Sequence, residues 1–173
     1  MKTEDSGTAT HSLTTTSQDI AGEVVTWIKE IAGSTERSDI VQQALAAHGF
    51  IITCSSIDEM VRLANIFAPE HLEIMTRNPQ ALANKISSAG LILIGAYSPV
   101  ALSDYGSGTN HVLPTGGFGH VYSGLSALDF TRRVSIVESS KEGLAVLENH
   151  VKVLTEAEKL PNHYKAVAAR VKK

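Results

Sequence analysis

Apolar residues recur along the chain at two different spacings. Ile20, Val24, Ile28 and Ile31 repeat every three or four positions, as one face of a helix does, and Ser17 stands where an N-cap belongs. This predicts a helix over 18–31. A second helix is predicted near 38–47, stopped by Gly49 as a C′ residue. Between the helical patterns lie short, continuous apolar runs rich in β-branched residues: FIITC (50–54), LILIG (91–95) and VSIVE (134–138). Runs of this length and type predict buried strands. Ser56 and Glu59 have capping-box spacing ahead of MVRLANIF, and Pro69 bars continuation of that helix. EHLEIM (70–75) reads as a short extended segment. Asn78-Pro79 opens a helix to about Ser87, which Gly90 ends. Further helices are predicted near 126–133, from a Ser139/Glu142 capping box to about Glu156, and from Pro161 onward.

Strands alternating with helices imply an α/β layer with a largely parallel sheet and helices on both faces. The last two helices have no strand between them, so they form a small helical tail. The expected organisation is a polar, poorly ordered stretch over 1–13, an incomplete α/β domain over 14–138, and the tail over 139–173. The tail carries an apolar stripe, Leu144, Leu147, Val151 and Leu154, suited to pairing with a second copy.

Composition narrows the function classes. The net charge of −3 and 5% aromatic content leave no basic field or stacking surface for nucleic acid or anionic lipid. The single cysteine, Cys54, rules out a disulfide framework or a cysteine zinc cluster and reads as a small buried strand residue. There is no apolar run of membrane-spanning length and no apolar signal core, so a cytoplasmic protein is the expectation. Neither GxGxxG nor GK[ST] occurs, so nothing here independently signals nucleotide binding.

The chemistry-bearing residues concentrate in two places. Glu70 and His71 are adjacent, a carboxylate beside an imidazole that titrates near neutrality. They read either as a proton-transfer pair or as a surface Glu beside a half-buried His. SDYGSGTNHVLPTGG (103–117) presents Asp104, Tyr105, Asn110 and His111 among glycines that permit tight turns or close approach. Asp104 and His111 suit zinc or manganese, or else a turn cap and a packed ring. The segment begins just beyond LILIG, at the carboxyl end of a strand, where ligands of parallel α/β proteins sit. His163, with Glu158 before it, is a third candidate ligand; His11, His48, His120 and His150 have no supporting neighbours.

Five stretches together resemble the C-terminal part of the histidinol dehydrogenase family: APEHLEI (68–74), ISSAGLILIGAYSP (86–99), SDYGSGTNHVLPTGG (103–117), YSGLSALDF (122–130) and AEKLPNHYKAVAARV (157–171). The resemblance implies a Rossmann-like partial sheet. It also implies the NAD-dependent oxidation of L-histidinol to L-histidine, in histidine biosynthesis, with a zinc ion holding the substrate. By motif, His71 resembles the general base and Glu70 the residue that activates water for the second oxidation. Asp104 and His163 resemble zinc ligands, the latter reaching into a partner subunit's site. His111 and Glu158 resemble substrate contacts. The cofactor-binding residues are not identifiable.

Three departures accompany the resemblance. The family enzymes are more than twice this length. A Gln-x-x-His zinc-ligand pair is expected where this chain begins MKTEDSGTATH, and Val100 stands where the family usually has a glutamate that contacts substrate. Three readings follow: a half-enzyme needing a separate N-terminal half or working as a homodimer, a non-catalytic shortened relative that binds a small ligand or a protein, or a remnant without a role.

Overall fold

The computed structural model describes residues 9–172 in two compact units, one ending at Asp129 and the other beginning at Phe130. The first unit runs β1 (His11–Thr15), α1 (Gln18–Ala32), α2 (Ser38–His48), β2 (Gly49–Thr53), α3 (Ile57–Phe67), β3 (His71–Ile74), α4 (Pro79–Ala83), β4 (Leu91–Ile94) and α5 (Val100–Tyr105). Two 3₁₀ turns follow, Phe118–His120 and Ala127–Phe130. The second unit holds α6 (Lys141–Ala157) and α7 (Pro161–Val171).

The α/β class and the parallel pairing agree with expectation. β1 pairs with β2 in the register His11↔Gly49 to Thr15↔Thr53, and β3 pairs with β4 from His71↔Leu91 to Ile74↔Ile94. Both pairs are parallel, joined by helical crossovers, as parallel strands require. Among the described residues they form two separate two-stranded sheets rather than one.

The helix starts were legible because capping chemistry is local. Ser17 Oγ accepts from Ile20 N at 3.3 Å, and Asn78 Oδ1 accepts from Ala81 N at 3.3 Å. Ser56 Oγ accepts from Glu59 N at 3.2 Å, but the Glu59 carboxylate turns to Ser55, accepting from its N at 2.7 Å and its Oγ at 2.6 Å. Helix α3 ends at Ala68 in the left-handed region (φ 46°), one residue before Pro69. The buried apolar side chains described in the first unit are Ala21 and Ala32 on α1, Val41 and Ala44 on α2, Cys54, Ala68, Ile74 and Leu93. Cys54 is buried, as expected, but lies just past β2 rather than within it.

Several expectations are corrected. Residues 11–13 are strand, not disordered, because β2 supplies hydrogen bonds for them; residues 1–8 lie outside the described residues. Gly49 is extended (φ −87°) rather than left-handed; it is needed because a Cβ there would strike the Leu45 carbonyl. Helix α4 spans 79–83 only, and the helix expected over 126–133 is a single 3₁₀ turn. VSIVE forms no strand. Val134, Ile136 and Val137 are exposed, Ile136 at 91%, and a strand without a partner leaves its backbone groups unpaired. The cap of α6 is Ser140, whose Oγ accepts from Gly143 N at 3.0 Å, not Ser139.

In the second unit, α6 and α7 form a hairpin. Lys159 is left-handed (φ 60°), Leu160 N donates to Thr155 O at 2.8 Å, and Tyr164 Oη donates to Glu148 Oε1 at 3.2 Å. Of the apolar stripe, Leu147 and Leu154 remain exposed. Helix α1 likewise exposes Ile20 and Ile31, two positions of its predicted apolar face, and beside them Trp27 (60%).

The tightest backbone approach lies where β3 and β4 begin. Gly90 N donates to Pro69 O and Leu91 N to Glu70 O, each at 2.9 Å. A Cβ on Gly90 would sit 2.6 Å from Glu70 O and 3.2 Å from Pro114 Cδ. Neither neighbour is a flexible side-chain end, so Gly90→Ala should destabilise the chain by about 1–3 kcal/mol. Urea denaturation reads this directly; an unchanged midpoint would contradict the close approach.

Candidate functional site

His71 is the first residue of β3, so the strand pairing fixes its backbone. Its side chain is nearly enclosed, at 8% exposure. Nδ1 lies 3.4 Å from Glu70 Oε1, and Nε2 lies 3.9 Å from Asp104 Oδ1. One imidazole therefore stands between two carboxylates, which are themselves partly covered (29% and 16% exposed). A ring that takes up a proton there gains a positive charge between two negative groups in a part-buried setting. That arrangement suits a proton acceptor whose protonated form must persist for a step.

Asp104 reaches this position from helix α5. Ser103, fully buried, donates through Oγ to Val100 O at 2.6 Å and lies 3.4 Å from Asp104 Oδ1. Thr109 Oγ1 donates to Ser103 O at 2.7 Å, and Gly108 (φ +82°) gives the turn that brings Thr109 back. The sequence showed no sign that Ser103 would support the carboxylate. A hydroxyl three residues before a glycine looks like any loop serine.

The other loop candidates divide. Asn110 is structural: its Nδ2 donates to Leu125 O at 2.7 Å and its Oδ1 accepts from Val112 N at 2.9 Å. Tyr105 is 90% exposed and His111 is exposed on the loop. An open hollow of about 390 Å³, walled by Leu113, Pro114, Phe118, Tyr122 and Asp129, belongs to the same loop and does not include His71. Glu158 and His163 lie in the second unit, flanking the α6–α7 turn, and both are exposed.

The site does not sit at the carboxyl ends of the strands, as the general rule for parallel sheets led the sequence to suggest. His71 opens β3, and the loop returns to that amino end: Pro114 and Leu113 lie against Gly90, and Gly119 lies against Ala89. The return of the chain through α5 and the glycine turns is what the strand pattern could not show.

Among the described residues no group of three or more His, Cys, Asp or Glu is gathered in a way that could hold a metal ion. A catalytic zinc takes about three protein ligands. Asp104 and His163 fall short of that, and His11, in β1 with Nδ1 3.0 Å from Ala9 O, has its pKa lowered chiefly by burial. The residues present do not fit a zinc ion on their own. Among the described residues no helix is long and apolar enough to cross a membrane.

Fold and site together define an α/β protein with an enclosed imidazole held between a carboxylate at the entrance to β3 and another from α5. The sequence profile of the histidinol dehydrogenase family matches residues 1–171. Histidinol dehydrogenase of Methanothermobacter thermautotrophicus is 42% identical over 160 residues, which is 92% of this chain and 38% of that protein. That of Vibrio parahaemolyticus is 42% identical over 161 residues, covering 93% and 37%. The crystal structure of histidinol dehydrogenase from Elizabethkingia anophelis superposes with a TM-score of 0.93 at 32% identity, over 99% of this chain and 39% of that one. The chain belongs to the histidinol dehydrogenase family. It spans well under half the length of the relatives it matches.

In the sequence Glu73 reads only as part of the extended run EHLEIM. It lies two residues beyond His71 on β3, the spacing that returns side chains to one face of a strand. Glu73 is exposed overall, but partial loss of water around its carboxylate raises the pKa above the ordinary glutamate value. The folded state thus favours the protonated acid, so its contribution to stability is fullest below the unfolded value and is lost as pH rises through the raised one. Glu73→Gln should therefore raise the melting temperature at pH 7 and give no gain near pH 4. Thermal melts at the two pH values test this; an equal effect at both would refute it.

Proposed function

We propose that this chain carries the proton-transfer part of a histidinol dehydrogenase site, in which L-histidinol is oxidised to L-histidine. The observation that supports this best is the His71 imidazole between Glu70 and Asp104. Two NAD molecules in turn would supply the hydride acceptor, one for each oxidation. His71 takes the hydroxyl proton as the carbon–oxygen double bond forms. Glu70, next to it, takes a proton from the water that adds to the resulting aldehyde, and His71 again serves as base for the second oxidation. His111 would contact the substrate and Asp104 would offer one ligand to a zinc ion, while Glu158 and His163 would serve the same two roles at a second copy's site, with further ligands completing the metal.

Those ligands and the nicotinamide surface belong to the part of the relatives that this stretch does not span. Helix α1 is suited to receive that part, with Ile20, Trp27 and Ile31 exposed along one face. The exposed Leu147 and Leu154 of α6 suit a homodimer, whose tail would bring Glu158 and His163 to the other copy's site. The whole assembly is cytoplasmic in this reading.

The test is NADH formation from L-histidinol with zinc and NAD present, for the chain alone and mixed with the complementary polypeptide. Turnover is expected only in the mixture. His71→Ala should lower kcat by at least about 100-fold, and Trp27→Glu should raise the concentration of partner needed without changing the rate at saturation. No turnover in the mixture would overturn the reading, and full turnover by the chain alone would remove the need for a partner.

Sedimentation velocity addresses the dimer separately. Two copies are expected at micromolar concentration, and a monomer there would exclude the tail exchange.

A further inference from the structure

Beyond the residues at the site, one side chain ties together the two strands that build it. Asn65 lies on α3, two residues before that helix ends and six before His71. Its amide makes three bonds to the backbone leading into β4. Oδ1 accepts from Ser87 N at 2.7 Å and from Ser88 N at 3.2 Å, and Nδ2 donates to Lys85 O at 3.1 Å. The bonds cross twenty or more residues of chain, so they are tertiary. They lie just ahead of Gly90 N→Pro69 O and Leu91 N→Glu70 O, the first rungs of the β3–β4 pairing.

We infer that Asn65 is a positioning residue that fixes the β3–β4 register and so holds Asp104 opposite His71. Register matters here because a slip of one residue turns every side chain of a strand to its other face. β3 and β4 have four residues each and form a two-stranded sheet, which supplies little register specificity alone. β4 leads into α5 and hence to Asp104, while α3 leads into Glu70 and His71. Asn65 joins the two paths at their common entrance. A second tether, Lys85 Nζ to Asp58 Oδ1 at 3.0 Å, spans the same helix and loop, but both side chains are well exposed and such a pair contributes little.

The inference concerns the geometry of the site and rests on the proposed role of His71 only for its catalytic meaning. Its test therefore uses neither cofactor nor turnover. In the full chain, the imidazole nitrogen chemical shifts of His71 are recorded at one pH, with and without Asp104→Asn. The difference reports how strongly the carboxylate acts on the ring. The measurement is repeated in Asn65→Ala, Asn65→Asp and Lys85→Ala backgrounds, each checked for folding by its amide spectrum. Loss of the Asp104 effect is expected in Asn65→Ala, with faster exchange of the Gly90 and Leu91 amides. Most of the effect should survive in Asn65→Asp, which keeps both acceptor bonds, and all of it in Lys85→Ala. Persistence in folded Asn65→Ala would overturn the inference. Should Asn65→Ala not fold, Asn65→Asp decides alone: a folded Asn65→Asp chain that has lost the Asp104 effect overturns the inference, and one that keeps it supports it.

Discussion

The close approach of Gly90 to the Glu70 carbonyl is the constraint on which the site depends. Only a residue without a side chain lets β4 begin this near to β3, with Leu113 and Pro114 pressed against the same point. The approach aligns Leu91 with His71, and the rest of the short ladder follows. Because His71 opens its strand, there is no run of earlier pairs to absorb an error. The position of the imidazole is set by the first rungs alone.

From that fixed point the site is assembled by chain segments that are close in space and distant in sequence. Glu70 comes with His71 on the same strand entrance. Asp104 arrives after a complete crossover, a strand and a short helix, beside Ser103, which is itself bonded to Val100 O and Thr109 Oγ1. The imidazole is therefore flanked by a local carboxylate and a remote one. The local one is present whenever β3 forms, whereas the remote one requires the glycine turns and α5 to close. The two carboxylates differ in what must fold before they act.

How much of this was legible depended on the range of the forces involved. Ser17, Ser56 and Asn78 announced their helices because a cap acts within three residues. FIITC and LILIG were legible as strands because each finds a parallel partner within the chain. VSIVE has the same composition and fails, since an extended run becomes a strand only when something pairs with it. Glu70, His71 and Asp104 could be named from motif, but their convergence at the amino end of β3 could not. That follows from the return of the 113–119 stretch over Gly90, which no local pattern encodes. Ser103 and Asn65 were invisible for a related reason: their partners are backbone atoms, and backbone atoms leave no trace in composition.

The separate two-stranded sheets have a consequence in time as well as in space. Each has edges among the described residues that no neighbouring strand covers, and the unpaired Val134–Val137 stretch carries the same kind of surface. Open edges and exposed apolar stretches attract one another regardless of identity. Copies of the chain thus compete with any complementary polypeptide for the same contacts, the first process growing with the square of the chain's concentration and the second only linearly. The yield of a completed site becomes a race, won by dilution of this chain and abundance of the other. Synthesising the two side by side would favour assembly over self-association, without any change in the affinity of either contact.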